Sequence, residues 1–381
     1  MKIVVASIPA YGHLYPLMPL ALACADAGHD VTIAVGPPFL DRLPLPTVPQ
    51  QPVELDVGAA FAETRRRNPG LEGRELTIGM FADVTAESVA DTLLKLLEEN
   101  RPDLVVYEGM DVGAGLAANV LGIPAVAYAI GLTHMGYAMI HPAAIGYHRA
   151  LWTDRGQQPP DGTQFLAGAL LDPTPPSLRR FNGPFDVPKI PIRPVGYAES
   201  IGGVPGWLDE PKVRSQIYLT LGTVSFGAVD VLQRALGEIA DLDVDILVTV
   251  GPEGDPAALG EVGPHVHLEK FVNQSEILSQ VDLIVHHGGT GTVLGALAAG
   301  IPQLILPQGA DQFFNAQFVT EAGASRALLN EDQQPGAIRG AVAALLSEGP
   351  ERAVARQLQT EIAALPSPAD VVPELAARIG A

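Results

Sequence analysis

Three short segments of this 381-residue sequence combine side chains that could do chemistry. In the first, Gly12 and His13 follow an apolar run at residues 2–8, and Pro16 suits the start of a following helix. The pKa of an imidazole lies close to neutrality, so His13 could take a proton from a hydroxyl at physiological pH. The open alternative is a histidine that caps or hydrogen-bonds a loop.

The second segment spans residues 286–292 and reads HHGGTGT. It ends an apolar run at 283–285 and opens a helical pattern at 290–299. Glycines permit close approach, a helix N-terminus offers backbone N–H groups, and the two threonines add hydroxyls. This pattern predicts an anion site that would fit a diphosphate; the alternative is a glycine-rich turn with buried histidines.

The third segment, residues 307–315, reads PQGADQFFN and follows an apolar run at 303–306. Asp311 and Gln312 place a carboxylate and an amide side by side, a pair that could hydrogen-bond sugar hydroxyls. The alternative is that Asp311 only caps the next helix.

For the three segments to act together, the fold must bring the ends of the preceding strands close to one another. β-branched runs alternate with helical patterns, a proline-rich stretch interrupts them at 157–211, and the alternation then restarts. We therefore predict two doubly wound α/β domains with parallel sheets and a ligand site in the cleft where they face each other. The predicted strands are 2–8, 30–35, 104–107, 125–129, 216–221, 245–250, 266–270, 283–285 and 303–306, and the main predicted helices are 17–27, 75–99, 113–121, 229–240, 290–299 and 315–322.

Composition excludes several classes of protein. The formal net charge is -20, which argues against a nucleic-acid surface, and 47% hydrophobic residues argue against disorder. The single cysteine, Cys24, excludes a disulfide framework within one chain. The start of the chain lacks the pattern of a signal peptide and no long apolar span is present, so we expect a cytoplasmic protein that does not insert into membranes.

Together the motifs resemble those of a known family. The pattern G-H-x-x-P-x-x-P-L-A at 12–21, H-G-G-x-G-T at 287–292 and P-Q-x-x-D-Q-x-x-N-A at 307–316 is similar to that of GT-B nucleotide-sugar glycosyltransferases, and more narrowly to the bacterial family 1 enzymes that glycosylate antibiotics and other natural products. The resemblance covers nearly the whole chain. It implies two Rossmann-like domains: an acceptor-binding domain at 1–196, a linker at 197–212, a nucleotide-sugar-binding domain at 213–365, and a C-terminal helix at 366–381 that packs back on the first domain.

The resemblance also assigns catalytic residues. It makes His13 the general base and places Glu108 where the family has the carboxylate that orients this base. Family members more often carry Asp there, so Asp111 is the alternative orienting residue.

Twelve residues form the donor site that the resemblance implies. An aromatic ring stacks on the nucleobase, the glycine-rich segment holds the diphosphate, a loop closes over it, and the third segment grips the transferred sugar. Phe271 with Val272 would lie at the nucleobase, and Asp311 with Gln312 at the transferred sugar. The residues that would hold the diphosphate are His287, Gly289, Thr290, Gly291 and Thr292, and those of the loop that closes over it are Gly222, Thr223 and Ser225.

One departure bears on the donor. Many UDP-sugar members carry a Glu that bonds the ribose hydroxyls where this chain has Gly295. We therefore expect a dTDP-sugar rather than a UDP-sugar. The acceptor is expected to be apolar, and adaptable apolar residues are candidates to line its pocket: Tyr11, Met80, Phe81, Ile130, Met135 and Met139.

The resulting hypothesis is an inverting, metal-independent glycosyltransferase without a resident cofactor. It would move a sugar, expected to be a deoxysugar, to a hydroxyl of an apolar natural product such as a polyketide antibiotic, and a homodimer is left open. One alternative is a cell-wall type transferase acting on lipid-linked sugars, although residues 7–13 lack the glycine-rich loop of those enzymes. Another is a non-catalytic auxiliary protein that binds a nucleotide sugar.

Overall fold

The computed structural model describes residues 1–50, 57–162, 164–179, 187–198, 203–222, 228–252 and 254–377. The chain forms two compact units. Unit 1 comprises Met1–Pro173, Arg180–Ile192 and Pro366–Ala381, and unit 2 comprises Thr174–Arg179 and Arg193–Leu365. The domain boundaries expected from the sequence stay predictions, but both units are parallel α/β folds, and the predicted fold class is confirmed.

Unit 1 is built on a parallel sheet. Its strands are β1 (Lys2–Ala6), β2 (Asp30–Val35), β3 (Thr47–Pro49), β4 (Leu104–Glu108), β5 (Ala125–Tyr128), β6 (Ala169–Asp172) and β7 (Lys189–Pro191). Over the described residues the strand order is β3-β2-β1-β4-β5-β6-β7, and every pairing is parallel. The order therefore reverses between β1 and β4, and ligands of doubly wound sheets bind beyond the carboxyl ends of the strands at such a point.

Helices cover the sheet of unit 1. They are α1 (Tyr11–Leu14), α2 (Met18–Asp26), α3 (Val57–Arg67), α4 (Gly73–Gly79), α5 (Ala86–Asn100), α6 (Val112–Val120), α7 (Met135–Tyr147) and α8 (Ala150–Thr153), and a π-helix over Met80–Thr85 joins α4 to α5. In α5 the buried residues recur every three or four positions, which gives the helix one apolar face: Ala86, Val89, Ala90, Leu93, Leu94 and Leu97. That face packs on α6 and, with it, covers β4, which is buried along its whole length.

Unit 2 repeats this plan. Its strands are β8 (Ser215–Thr220), β9 (Val244–Thr249), β10 (Val266–Glu269), β11 (Leu283–His286), β12 (Gln303–Ile305) and β13 (Ser325–Ala327), and its helices are α9 (Ala228–Ile239), α10 (Gln274–Ile277), α11 (Thr290–Ala299), α12 (Gln312–Ala322), α13 (Ala337–Leu346) and α14 (Pro350–Ala363). The parallel strands follow the order β10-β9-β8-β11-β12-β13, so this sheet reverses between β8 and β11.

The last helix, α15 (Pro368–Ala377), belongs to unit 1 and contacts α2. Within 197–212, the segment expected to be a linker, a 3-10 helix spans Gly206–Asp209, and its Leu208 is buried in the core of unit 2 with Val272 and Ile277. Of the helices in the described ranges, none has the length and apolarity that a membrane crossing requires.

Candidate active site

The reversal point of the first sheet brings a histidine and a glutamate together. His13 lies in α1, just after β1, and its side chain is one-quarter exposed. Its Nδ1 is 2.8 Å from Oε2 of Glu108, the last residue of β4. An ionised carboxylate only accepts hydrogen bonds, so Nδ1 carries the hydrogen here and proton uptake falls to Nε2. The arrangement suits a general base whose ring is held by a carboxylate.

The carboxylate of Glu108 is itself held rigidly. Glu108 is fully buried, and its second oxygen, Oε1, accepts a hydrogen bond from the backbone N–H of Met110 at 2.6 Å. A carboxylate fixed through both oxygens keeps one orientation for the imidazole and favours the cation that forms when the ring takes up a proton.

Asp111, the alternative orienting residue, has another partner. It is 1% exposed and precedes α6 as the N-cap residue, and its Oδ2 accepts a hydrogen bond from Nε2 of Gln50 at 3.0 Å. Burial, and then the neighbouring charge of Glu108, raise the pKa of Asp111 to about 7. Of the two carboxylates, the one that hydrogen-bonds His13 is therefore Glu108.

Two aromatic side chains of α7, those of His141 and Tyr137, contact the turn between Glu108 and Asp111 at Gly109. Nε2 of His141 donates to the carbonyl of Gly109 at 2.9 Å, and Nδ1 accepts from the backbone N–H of Leu166 at 3.2 Å. Burial lowers the pKa of His141 to about 4, so the ring stays neutral and keeps both bonds. The ring of Tyr137 packs so close to Gly109 that an added Cβ there would lie 2.8 Å from Cε1.

The acceptor candidates have varied surroundings. Tyr11 is half-buried, with its ring edge-on to Phe39 at 4.9 Å between centroids. Met80 is 4% exposed and packs with Ala60 and Val84, as a core residue would. The other placements follow: Phe81 is half-buried against the core, Ile130 is half-buried with its N–H donating to Tyr137, Met139 is half-buried with its sulfur accepting from Arg74, and the side chain of Met135 lies outside the described atoms.

In unit 2, the first histidine of the glycine-rich segment is structural. Nδ1 of His286 accepts from the backbone N–H of Gly288 at 3.0 Å, and Nε2 donates to Oε1 of Gln303 at 2.9 Å. Burial lowers the pKa of His286 to about 3, so the ring is neutral and both bonds persist. Gly288 has φ +94°, a conformation that side chains disfavour. His286 thus sets the turn that leads into α11.

The second histidine, His287, has a place for a ligand contact. Its imidazole fits between Gly222 and Gly289, because an added Cβ at either position would overlap the ring. Nδ1 is buried and has no hydrogen-bond partner among the described residues. Burial lowers the pKa of His287 to about 4, so the ring is neutral at physiological pH.

The threonine hydroxyls that follow are already engaged. Oγ1 of Thr290 donates to Oδ2 of Asp311 at 2.8 Å, and Oγ1 of Thr292 donates to Oε1 of Gln274 at 3.2 Å. An anion at this place would therefore meet the backbone N–H groups at the start of α11. The role expected for the two hydroxyls stays a prediction.

Asp311, a candidate for holding the sugar, is linked to the glycine-rich segment by Asn315, a residue whose role sequence reasoning missed. Asn315 is fully buried, and its Nδ2 lies 2.9 Å from the Gly288 carbonyl, 2.9 Å from Oγ1 of Thr290 and 3.0 Å from Oδ2 of Asp311. This amide links the glycine-rich segment to the carboxylate of Asp311. The motif P-Q-x-x-D-Q-x-x-N-A contains Asn315, which was the available signal.

Gln312 is also partly committed. It is 5% exposed, and its Oε1 accepts from the backbone N–H groups of Gln308 at 2.8 Å and Gly309 at 3.0 Å. Its amide nitrogen is therefore the group that could donate to a sugar hydroxyl.

The remaining donor candidates follow β8, β10 and β11. Gly222 has φ +79° and lies against His287; Thr223 and Ser225 lie outside the described residues. Phe271 is half-buried, whereas Val272 is 3% exposed in the core, so only Phe271 offers a face for stacking. Gly291 is exposed at the start of α11, with open space around its Cα.

Two side chains, those of Leu278 and Gln274, lie next to Gly295. An added Cβ would lie 2.9 Å from Cδ1 of Leu278 and 3.4 Å from Nε2 of Gln274. A glutamate here would require Leu278 to move. Elsewhere, among the described residues, no group of three or more His, Cys, Asp or Glu side chains could hold a metal ion.

Two parallel α/β units define a glycosyltransferase of the GT-B fold: one carries a histidine bound to a buried glutamate, and the other carries a glycine-rich helix start beside the carboxylate of Asp311. The sequence matches the model described as "Erythromycin biosynthesis protein CIII-like", its N-terminal domain over residues 22–222 and its C-terminal domain over residues 233–378. These matches span most of the chain, which belongs to this family of antibiotic glycosyltransferases.

Individual relatives are similar in sequence to this chain over nearly its full length. The chain is 31% identical to the L-demethylnoviosyl transferase of Streptomyces niveus, over 99% of this chain and 98% of that one. It is 29% identical to the 10-deoxymethynolide desosaminyltransferase of Streptomyces venezuelae, over 98% and 96%. The crystal structure of the glycosyltransferase SsfS6 from Streptomyces sp. SF2575, in complex with thymidine diphosphate, superposes with a TM-score of 0.81 at 28% identity, covering 99% of both chains.

Proposed function

We propose that this glycosyltransferase moves a deoxysugar from dTDP to a hydroxyl of an apolar natural product such as a polyketide antibiotic, by inverting displacement without a metal. The observation that carries the proposal is the hydrogen bond between His13 and Glu108, at the point where the first sheet reverses. A buried carboxylate behind an accessible imidazole is what deprotonation of a hydroxyl requires.

The proposed reaction is a single displacement. Nε2 of His13 takes the proton of the acceptor hydroxyl as its oxygen attacks the anomeric carbon of the donor sugar. The bond between that carbon and the diphosphate oxygen breaks, and its electron pair leaves with the diphosphate. Attack occurs opposite the leaving group, so the configuration inverts. Glu108, bound at Nδ1 of His13, stabilises the imidazolium that forms.

The leaving diphosphate would be stabilised by preorganised dipoles. The start of α11 presents backbone N–H groups, and the neutral ring of His287 adds one donor beside them. Asp311 and the amide nitrogen of Gln312 would hold the sugar. This set of groups supplies electrostatic stabilisation without a cation, which supports the proposal that no metal takes part.

The relatives support the choice of donor and acceptor. The names of two of them specify transfer of a demethylnoviosyl and a desosaminyl group, and SsfS6 binds thymidine diphosphate. In this chain Gly295 stands where many UDP-sugar enzymes have the glutamate that holds the ribose hydroxyls. For the acceptor pocket we retain the half-buried side chains, Tyr11, Phe81, Ile130 and Met139.

The proposal is tested by product stereochemistry. The enzyme is incubated with a dTDP-deoxysugar and an aliphatic alcohol acceptor, with and without EDTA, and the anomeric configuration of donor and product is read by NMR. We expect inversion at an unchanged rate in EDTA. Retention of configuration, or loss of activity that a divalent ion restores, would contradict the proposal. Nucleotide release by the chain alone would exclude a non-catalytic auxiliary role.

A further inference from the structure

Two carboxyl groups are buried on one turn of unit 1. Glu108 is fully buried and Asp111 is 1% exposed, and the backbone N–H of Asp111 donates to the carbonyl of Glu108 at 2.7 Å. Two ionised carboxylates buried on one turn of a protein interior repel each other, and each loses its hydration. A second negative charge on this turn would therefore have to be balanced by a nearby cation, by hydrogen-bond donors or by a bound proton.

The partners of the two carboxyls are unequal. Glu108 has His13 on one oxygen and the N–H of Met110 on the other. Asp111 has Gln50 on Oδ2, whereas its buried Oδ1 has no hydrogen-bond partner among the described residues. The backbone N–H of Ala114 and the bond from Gln50 lower the pKa of Asp111, but burial and Glu108 raise it by more. Gln50 itself is fixed, because its Nε2 also donates to the carbonyl of Ser7 at 2.7 Å.

The charges facing Asp111 do not compensate a second anion. Its ionisable neighbours are Glu108 on the same turn, His13 on α1 and the buried phenol of Tyr107 on β4. Across the described ranges, no lysine or arginine forms an ion pair with Glu108 or Asp111. Among the described residues, two imidazoles contact this turn: His13, which is bound to Glu108, and His141, whose pKa burial lowers to about 4 so that it stays neutral.

We propose that Asp111 holds a proton in the resting enzyme, so that Glu108 is the single anion behind His13. Asp111 is then a positioning residue: as a neutral carboxyl it connects Gln50 to the start of α6 without drawing the imidazole away from Glu108. This inference rests on the proposed role of His13 as the base, although the protonation of Asp111 can be measured without any activity.

The direction of the pKa supports the proposal, since burial and the charge of Glu108 raise the pKa of Asp111 to about 7. The pKa then gives a pH dependence. Below about pH 7 the two carboxyls together carry one negative charge, on Glu108, which is neutralised when His13 takes the acceptor proton. At higher pH, ionised Asp111 adds a second negative charge, which favours the imidazolium and lowers the fraction of neutral His13.

The first test is infrared spectroscopy on the full chain. A difference spectrum between the wild type and Asp111→Asn at about pH 5 is expected to contain the C=O stretch of one protonated carboxyl. We expect this band to disappear as the pH is raised well above 7. Absence of the band at low pH overturns the proposal, whereas its persistence at high pH would mean that Asp111 keeps its proton there as well. If the variant does not fold, the same band is sought in wild-type protein labelled with ¹³C-aspartate.

The second test is thermal unfolding of Asp111→Asn against pH. An unfolded Asp111 ionises near pH 3.8 but the folded one near 7, so the wild type loses stability as pH rises between these values. The variant, neutral at every pH, is expected to gain melting temperature relative to the wild type over that window and to hold the gain above it. The control is Asp91→Asn on the exposed side of α5, whose difference from the wild type should be constant. A constant difference for Asp111→Asn as well would overturn the proposal.

The third test measures the activity of Asp111→Asn, which reports whether Asp111 acts by positioning its neighbours or through its charge. We expect Asp111→Asn to keep kcat within about threefold of the wild type near pH 6, and its pH profile to lack one ionisation near neutrality. A loss of about tenfold or more near pH 6 in a folded variant shows that the charge is needed and overturns the proposal. If His13→Ala retains activity while the infrared band is present, the proposed function fails and the protonation of Asp111 stands.

Discussion

At the scale of single residues, the proposed chemistry depends on one nitrogen atom. Because Glu108 binds Nδ1 of His13, the ring has one tautomer and one orientation, and Nε2 is the proton acceptor in the proposed reaction. We expect His13→Ala to lower kcat by about 10²- to 10⁴-fold with an alcohol acceptor, with little change in the KM of the donor. Steady-state kinetics measure both. Near wild-type turnover of His13→Ala would rule out this base.

Glu108 should act through His13. Glu108→Gln keeps a hydrogen-bond acceptor but removes the charge that stabilises the imidazolium, so we expect kcat to fall by about tenfold or more while acceptor KM stays close to that of the wild type. Glu98→Gln, on the exposed end of α5, is the matched control and should behave as the wild type. Equal kinetics of the two variants would show that Glu108 does not support the base.

Asn315 should matter for both stability and donor binding. The two hydrogens of its amide nitrogen are shared among three acceptors: the Gly288 carbonyl, the Thr290 hydroxyl and the Asp311 carboxylate. Loss of buried hydrogen bonds in Asn315→Ala should cost about 1–3 kcal/mol of unfolding free energy and raise donor KM. Denaturant unfolding and kinetics measure the two effects. The exposed Gln317→Ala on the same helix is the control, and equal results for the two variants would contradict this role.

At the scale of elements, close packing of α6 on α5 positions the turn that carries Glu108 and Asp111. A Cβ added at Gly113 would lie 2.6 Å from Cβ of Val89 and 2.7 Å from the carbonyl oxygen of Ala86. We therefore expect Gly113→Ala to lower the unfolding free energy by about 1–3 kcal/mol and to reduce kcat. Gly146→Ala, in α7 with open space around it, should be neutral or slightly stabilising. The reverse order of stability would contradict this account.

Local sequence patterns predicted most of the strands, but not all of them. Strands β1, β2, β4, β5 and β8–β12 were expected from β-branched runs, and the structure contains them with ends shifted by at most a few residues. Strands β3, β6, β7 and β13 were missed: each has three or four residues, as β5, β10, β11 and β12 also have, and two of the missed strands contain proline. Such strands form through pairing with a neighbour that is distant in sequence, and no local pattern encodes that pairing.

Site residues differed in the same way. His13, His287 and Asp311 lie in motifs at strand ends, so their types and spacing pointed to chemistry. Gln50 and His141 act through single hydrogen bonds to backbone or carboxylate groups of remote segments. Their roles exist only in the folded chain, which is why sequence reasoning did not find them.

At the scale of the whole molecule, an acidic chain must bind an anionic donor. With a formal net charge of -20, long-range repulsion opposes the diphosphate, so binding must come from local dipoles. We expect dTDP to stabilise the folded chain by RT ln(1 + [L]/Kd), which is about 2.7 kcal/mol at 100-fold excess over Kd, and so to raise its melting temperature. UDP should raise the melting temperature less. A thermal-shift series compares them. A UDP shift equal to or larger than the dTDP shift would remove the basis for a dTDP donor.

The most direct test of the central claim is a crystal structure of this enzyme with dTDP. The account predicts the diphosphate against the backbone N–H groups at the start of α11, within hydrogen-bond distance of the His287 ring, and the thymine stacked on Phe271. Electron density for the nucleotide at any other place, with this helix start occupied by solvent, would contradict it.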